Sequence, residues 1–361
     1  MTMSWKIQPM VPADAQEVLD LPKTLSDSGE VLYKPLEEED FLNRFFGEKR
    51  WGFVARGEDG KLCGFAHAAA KTSFLPGETE ENTPLYLTML LVAADCRRQG
   101  IGQALLDTID ELGRQIGKKA LVVSGDNPVH LAWLIPGANG HDHNNAPGVD
   151  ENGMGYEFLM KRGFADDFHE VSMYLNLANY KWDEKLDGMT QKLQEEGIRV
   201  GRWEIGLGED YNGMCDRVGS EYWRNVLKCE IAAWHAGQPN EDPELWPDGV
   251  KPAGPRPLLT ATKGDAIVGF TGPVDLQKSG RGWFTGICTD PDEGGKGIAS
   301  VLFNLLMREF VDEGAKFCSL FTGTENHAQK IYRRAGLDVV AHFAVLSRPI
   351  GGGERYEKRY F

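Results

Sequence analysis

Hydrophobic and polar positions follow two spacings along the chain, one typical of strands and one of amphipathic helices. The continuous apolar run Leu85–Val92 predicts a buried strand. Ile101, Leu105, Ile109 and Leu112 then recur at the spacing of one helix face. The turn between them is short, basic and glycine-containing (A-A-D-C-R-R-Q-G). The sequence therefore predicts a strand, a tight turn and a helix in direct succession.

The remaining periodicities predict two similar series of elements. In the first half we expect strands at 5–10, 51–56, 62–71, 119–124 and 170–177, and helices at 15–25, 37–46 and 155–162. A charged, helix-prone segment follows at 179–197. In the second half we expect strands at 198–204, 258–263, 266–275, 283–289, 317–322 and 339–346, and helices at 209–236, 298–312 and 326–334.

The turn before the first motif helix has the features of a phosphate site. It directs free backbone N–H groups and a helix N-terminus towards one point. Its glycines let the backbone approach a ligand closely, and its arginines add positive charge. The candidate binding residues are Leu91, Val92, Arg97, Arg98, Gln99, Gly100, Ile101 and Gly102.

Two common phosphate motifs do not fit this turn. The nucleotide-hydrolase loop requires G-x-x-x-x-G-K-[ST], and the dinucleotide fingerprint requires three spaced glycines. The pattern from Val92 to Gly102 instead resembles the pyrophosphate-binding loop of the GNAT acyl-CoA N-acyltransferases, V-x-x-x-x-[RQ]-x-x-G-x-[GA]. The resemblance implies acetyl-CoA as co-substrate, a small-molecule amine as acceptor, and no metal. An ordinary strand-to-helix turn with surface arginines is the alternative.

A second copy of the loop occurs later in the chain at the same internal spacing. Thr289, Gly297 and Ala299 stand where the first copy has Val92, Gly100 and Gly102. The candidate coenzyme residues of this copy are Cys288, Thr289, Gly294, Gly295, Lys296, Gly297, Ile298 and Ala299. The chain is thus identified as a tandem of two GNAT-like domains. This architecture resembles that of mycothiol synthase, whose substrate is not carried over.

The resemblance implies an α/β (α+β) fold of two tandem GNAT domains. Each would be a mixed, largely antiparallel twisted sheet flanked by helices, with a central parallel strand pair. We expect an N-terminal domain at 1–178, a linker helix at 179–197 and a C-terminal domain at 198–361.

The first domain carries a long insertion at 126–153, rich in glycine, asparagine and proline. Because it also contains the apolar run from Trp133 to Ile135, we expect an ordered flap packed partly on its own side chains. His141, Asp142, His143 and Asp150 could be read as metal ligands. A hydrogen-bonded polar loop is the favoured interpretation, since no further cysteine or histidine completes a known metal spacing. A contribution of the insertion to the acceptor site or to the domain interface stays open.

Family members often protonate the leaving thiolate with a tyrosine on the last helix. By resemblance, Tyr332 has this position in the second copy, and Asn326 matches an asparagine that contacts CoA. The first copy has Leu159 there, with Tyr156 on another part of the helix. We therefore expect the second copy to be catalytic, with Tyr332 as general acid, and the first copy to bind CoA or to be a structural partner. The alternatives are catalysis by the first copy through water, and a CoA sensor or structural protein without turnover.

Composition narrows the function further. The 361 residues carry a formal net charge of −15, which argues against a nucleic-acid partner. The 41% hydrophobic share is that of a globular protein, and no apolar run reaches membrane-spanning length. Six cysteines without a C-x-x-C pair favour free thiols. A cytoplasmic enzyme with no membrane partner is expected, and the oligomeric state stays open.

Overall fold

The computed structural model describes residues 4–74, 77–242 and 251–351. The chain divides into two compact units. The first unit runs to Val171 and resumes at Ala341, and the second runs from Ser172 to Val340. The last part of the predicted C-terminal domain, 352–361, lies outside the described residues. The expected domain limits at 178 and 198 stay a prediction.

The first unit begins with a strand, two helices and a three-stranded meander. Its elements are β1 (Trp5–Pro9), α1 (Ala15–Asp27), α2 (Glu38–Phe45), β2 (Arg50–Gly57), β3 (Leu62–Ala69), β4 (Leu85–Val92), α3 (Ile101–Gln115), β5 (Ala120–Val123), β6 (Trp133–Leu134), β7 (Asp142–His143), β8 (Val149–Asp150) and α4 (Met154–Met160). β9 (Ala165–Asn176) follows, and the division between the units falls within it.

The second unit continues with helices on either side of a similar meander. Its elements are α5 (Lys185–Glu195), β10 (Ile198–Arg202), α6 (Asn212–Val218), α7 (Glu221–Ala236), β11 (Leu259–Lys263), β12 (Ala266–Gly272), β13 (Asp275–Leu276), β14 (Arg281–Trp283), β15 (Gly286–Thr289), α8 (Ile298–Asp312), β16 (Phe317–Gly323) and α9 (Gln329–Arg334). The closing strand β17 (Asp338–Pro349) crosses the division in turn.

The sheet of the first unit has the order β1-β2-β3-β4-β5-β17. Its pairs are antiparallel except β4–β5, which is parallel and confined to Leu85↔Leu121 and Tyr86↔Val122. β17 joins this sheet beside β5, with Leu346 opposite Val123. The last of the described strands therefore belongs to the sheet of the first unit.

The second unit contains the antiparallel sheet β10-β11-β12-β15 and the parallel pair β14–β16. Each unit thus has a mixed, largely antiparallel arrangement with a central parallel pair, and the predicted fold class is confirmed. The strand expected at 283–289 is broken in two, because β14 pairs with β16 whereas β15 pairs with β12.

The helix predicted at 209–236 is wrong as a single element, since α6 and α7 are separate helices. Gly219 ends α6 with a φ of +73°, a conformation that glycine adopts without strain. Ser220 then starts α7 by accepting a hydrogen bond at its hydroxyl from the Trp223 backbone N–H (3.2 Å).

The apolar core of the first unit lies on both faces of its sheet. One cluster joins the sheet to α3 and α4, and includes Ile101, Leu105 and Leu159. The other joins it to α1 and α2, and includes Val18 and Phe41. The sheet is therefore a buried layer between two pairs of helices, which holds β4 rigidly.

Candidate functional site

A cavity of about 500 Å³ lies in the first unit along the edge of β4. Every residue from Leu87 to Val92 contributes to its wall. The pairing of β4 with β5 ends at Tyr86, although β4 itself continues to Val92. Beyond Tyr86, the edge of β4 that would face β5 is thus left for a ligand.

The predicted phosphate loop forms one end of this cavity. Arg97, Arg98, Gly100, Ile101 and Gly102 all contribute to the wall, as do Leu91 and Val92. Gly100 is the N-cap of α3 and has a φ of +86°, which favours glycine there. Gln99 is held differently, because its backbone carbonyl accepts a hydrogen bond from Trp5 Nε1 (3.2 Å). The loop thus aims the N-terminus of α3 at the cavity.

The two arginines of the loop have different partners. Arg97 Nη1 forms an ion pair with Glu30 Oε2 (2.6 Å), and its Nε donates to the Val92 carbonyl (3.1 Å). Arg98 has a φ of +61° and forms no ion pair among the described residues. Arg162, also on the wall, has a buried Nε without a hydrogen-bond partner in the described part of the chain. These groups make this end of the cavity positively charged and able to bind an anion.

A β-bulge at Thr88 shapes the cavity edge of β4. Ala68 lies opposite Leu87 and His67 opposite Met89, so Thr88 is the extra residue. His67 is fully buried, and its ring lies 4.5 Å from the Phe45 ring. The bulge turns the strand locally at the middle of the cavity wall.

His67 fixes this bulge as a neutral imidazole. Burial lowers its pKa to about 3. Its Nε2 faces the Phe45 carbonyl oxygen (3.1 Å) and must therefore carry the proton. Nδ1 then accepts a hydrogen bond from the Thr88 hydroxyl (2.6 Å). The lone histidine in the apolar run of β3 is thus a structural support of the site.

Acid is expected to destabilise the protein through His67. Between its folded pKa of about 3 and the ordinary value of 6.5, the unfolded chain binds a proton that the folded chain does not. The contribution of neutral His67 to the free energy of unfolding is therefore complete above pH 6.5. Below that pH it falls by about 1.4 kcal/mol per pH unit. In His67→Gln, urea unfolding across this range should depend less steeply on pH. An unchanged slope would refute this role.

The second loop has the same backbone geometry but is covered. Gly297 is the N-cap of α8 with a φ of +89°. A Cβ built on Gly297 would lie 2.2 Å from Cε of Met189 in α5, so the terminal methyl group of Met189 lies directly against this glycine. At Gly100 of the first loop the nearest atom to such a Cβ is Trp5 Cζ2, at 3.8 Å.

The charge of the second loop is also neutralised within the unit. Lys296 Nζ forms ion pairs with Glu293 (2.6 Å) and Glu196 (2.9 Å). Glu293 also pairs with Lys263 (2.8 Å). Lys296 is therefore already paired and offers a pyrophosphate less than an unpaired cation would. The other predicted residues of this copy keep their positions around the turn, with Cys288 and Thr289 ending β15, Gly294 and Gly295 in the turn, and Ile298 and Ala299 starting α8.

Comparison with known families decides the classification. The family described as "Acetyltransferase (GNAT) family" matches the chain twice, at 18–132 and 222–337, which is well over half of it. The chain belongs to the GNAT acetyltransferase family. No curated protein matches it in sequence.

Solved structures with the GNAT fold align with nearly all of this chain. A GCN5-related glucosamine N-acetyltransferase region of a fungal multi-domain GH3 beta-N-acetylglucosaminidase aligns with 96% of this chain at a TM-score of 0.64 and 15% identity. The alignment covers 38% of that fungal chain, so this protein spans about two fifths of its length.

Two further structures match over nearly their full length. A GCN5-related N-acetyltransferase from Sphaerobacter thermophilus has a TM-score of 0.56 and 18% identity, with 97% of both chains covered. A tandem GNAT protein from the clavulanic acid biosynthesis pathway has a TM-score of 0.52 and 16% identity, covering 97% of this chain and 100% of that one. The tandem GNAT architecture is therefore shown.

Tyr332, the predicted general acid, and Tyr156 of the first unit lie in different surroundings. Tyr332 is 7% exposed, its ring lies 4.7 Å from that of Phe303, and burial raises its pKa to about 12. In the first unit, Tyr156 donates its hydroxyl to Asp166 Oδ2 (2.6 Å), and this bond raises the pKa of Tyr156 to about 12. Leu159, at the family's tyrosine position, lines the cavity.

Asn326 has a local role in the structure. Its Nδ2 donates to Thr322 Oγ1 (2.9 Å), and its Oδ1 accepts from the Ala328 backbone N–H (2.9 Å). Both bonds organise the turn before α9. Contact with CoA therefore stays a prediction for this residue.

The insertion is ordered and contributes to the GNAT cavity. β6 and β7 pair within it, and Asp142 forms an ion pair with Lys34 (2.5 Å). His143 Nδ1 accepts from the Asn145 backbone N–H (3.3 Å). Among the described residues, no group of three or more His, Cys, Asp or Glu side chains is arranged to hold a metal ion. Likewise, within these residues no helix has the length and hydrophobicity needed to cross a bilayer.

Several wall residues were not identified from the sequence. Tyr33, Thr88 and Phe343 line the cavity, and Glu30 pairs with Arg97. Trp133 also lines it and belongs to the insertion for which a role in the acceptor site was left open. The signal for Trp133 was the apolar run from Trp133 to Ile135 within a polar insertion. Phe343 carried none, because it stands in the closing strand of the chain, far from the first loop in sequence.

Proposed function

We propose that the first unit transfers an acetyl group from acetyl-CoA to the primary amine of a small molecule. The observation that carries this proposal is the contrast between the two loops. The first loop ends a cavity of about 500 Å³, whereas Met189 lies on Gly297 of the second. This reverses the order of preference from sequence, in which Tyr332 favoured the second unit.

The proposed coenzyme position follows from the wall of the cavity. The pyrophosphate would lie at the N-terminus of α3 beside Arg98, with Arg162 Nε as a further donor. From Val92 back to Leu87, β4 extends about 17 Å, room for an extended acyl-bearing arm. Backbone N–H groups on its open edge would polarise the thioester carbonyl.

The reaction balances without a covalent enzyme intermediate. The amine nitrogen attacks the thioester carbonyl carbon, a C–N bond forms and the C–S bond breaks. The electron pair leaves with sulfur, and the resulting thiolate takes up the proton that the amine loses. Leu159 cannot supply this proton, so we propose that water carries it.

Tyr332→Phe tests which unit is catalytic. We expect acetyl transfer, measured as amine-dependent release of free CoA thiol, to remain at the rate of the unmodified protein. If the second unit reacted through this hydroxyl, the rate would fall by about 10²–10⁴-fold. Such a loss, with acetyl-CoA affinity unchanged, would restore the assignment to Tyr332.

A second candidate is a protein that binds CoA without turnover. It is favoured by Leu159 at the position where many GNAT enzymes have their tyrosine acid. Tight acetyl-CoA binding with no thiol release across a broad amine panel would support it. Amine-dependent release above the rate of spontaneous hydrolysis would exclude it.

A further inference from the structure

Part of the wall of this cavity combines a carboxylate with aromatic rings. Resting on the acetyltransferase function proposed above, we infer that the acceptor is a cationic primary amine with an aromatic or bulky apolar body. Asp150 would receive its ammonium group, which loses one proton to water before the nitrogen attacks the thioester, while Trp133, Phe343 and Tyr33 surround its body. All four residues line the cavity of the first unit.

Strand pairing brings the carboxylate beside the rings. Asp150 of β8 lies directly opposite Phe343 of β17, and opposed residues of an antiparallel pair project from the same face. The Phe343 ring centroid lies 5.1 Å from that of Trp133, in an edge-on arrangement. The carboxylate therefore borders two aromatic rings, a combination that attracts an organic cation.

Asp150 keeps an oxygen available for a ligand. Its Oδ1 accepts a hydrogen bond from the Asn152 backbone N–H (3.0 Å). No ion pair of Asp150 occurs within residues 4–74, 77–242 and 251–351. Gly153 follows closely, and a Cβ there would lie 3.9 Å from the Asp150 carboxyl carbon. An amine can thus approach the second oxygen from the cavity.

The aromatic wall is held in place by hydrogen bonds of the chain itself. Tyr33 and Trp133 form a β-bridge, flanked by hydrogen bonds from Leu134 N to Leu32 O (2.6 Å) and from Lys34 N to Ala132 O (2.9 Å). Trp133 Nε1 also donates to the Asn145 carbonyl (3.2 Å). A rigid wall reduces the entropy lost when the amine binds.

Charge on the cavity wall suits both proposed ligands. Arg98 and Arg162 lie beside the proposed pyrophosphate position, and Asp150 of β8 belongs to the same wall. An anionic coenzyme and a cationic amine are thus attracted to different residues of one cavity.

The test compares three amines as acceptors for acetyl-CoA. Phenethylamine offers a cation and a ring, phenylalanine adds a carboxylate to the same skeleton, and ethylamine lacks the ring. We expect the highest kcat/KM with phenethylamine. Phenylalanine should be at least about tenfold poorer, because its carboxylate meets Asp150.

Asp150→Asn is the matched variant, because the amide oxygen can still accept from Asn152 N–H. We expect the KM for phenethylamine to rise about 10- to 100-fold, with the KM for acetyl-CoA unchanged. Asp312→Asn, an exposed site on α8 of the second unit, makes the same charge change and should alter neither. Phe343→Leu should lower the kcat/KM for phenethylamine more than that for ethylamine.

The outcomes separate this inference from the function on which it rests. Turnover with equal preference for phenylalanine, or an unchanged KM in Asp150→Asn, would overturn the inference and leave the acetyltransferase standing. Absence of thiol release with every amine would overturn both. The comparison of amines with the unmodified protein remains decisive even if Asp150→Asn does not fold.

Discussion

Replacing Gly102 by aspartate is expected to lower acetyl-CoA affinity by at least about 100-fold, since like charges placed together cost several kcal/mol. Gly102 lies in the first turn of α3 and lines the cavity. A carboxylate there would repel the incoming pyrophosphate. It would also favour the helix itself, because acidic side chains stabilise helix N-termini. Loss of binding in Gly102→Asp should therefore occur in a folded protein, as circular dichroism would check.

The tandem arrangement supplies the matched control. Ala299 has the corresponding place in the first turn of α8, next to the loop that Met189 covers. Ala299→Asp makes the same addition of charge and should leave acetyl-CoA affinity unchanged. If it weakened binding and Gly102→Asp did not, the coenzyme would belong to the second unit.

Removing the charge of Arg348 is expected to destabilise the first unit by about 3–5 kcal/mol. Arg348 of β17 forms an ion pair with Asp110 of α3 and donates to the Arg162 carbonyl (2.6 Å). Both side chains are largely buried, and burial raises the pKa of Asp110. Arg348→Met would leave this carboxylate buried without its partner. The expected result is a lower denaturant midpoint at an unchanged slope.

Two controls separate this pair from general surface charge. Arg114 pairs with Glu111 (2.7 Å) on the exposed side of α3, so Arg114→Met should cost less than about 1 kcal/mol. Adding Asp110→Asn to Arg348→Met should restore part of the lost stability, because the orphaned charge is removed. If Arg348→Met costs no more than Arg114→Met, the closing strand does not stabilise the first unit as described.

Local sequence patterns predicted most of the elements of this fold. The strand Leu85–Val92 has the expected limits, because a continuous apolar run bounded by polar turns admits one register. The repeat of the loop predicted two GNAT-like halves, and glycine at Gly100 and Gly297 marks the same left-handed N-cap in both. Patterns of this kind are local, so one sequence suffices to find them.

What the sequence missed depends on contacts between distant positions. Hydrophobic alternation identified the closing strand but not its neighbour, β5. The segment at 179–197 was predicted as a linker helix, yet nothing in its periodicity indicates that Met189 covers Gly297. Tyr332 in the second copy and Leu159 in the first led the sequence to predict catalysis in the second unit. The cavity instead lies in the first unit, beside Leu159. Burial, and not residue identity, distinguishes the two loops.

The central claim is that one GNAT loop of the two binds the coenzyme, and calorimetric titration with acetyl-CoA tests it most directly. The account predicts one site per chain in the unmodified protein and in Ala299→Asp, and none in Gly102→Asp. Two sites per chain, or one site that survives in Gly102→Asp, would contradict it.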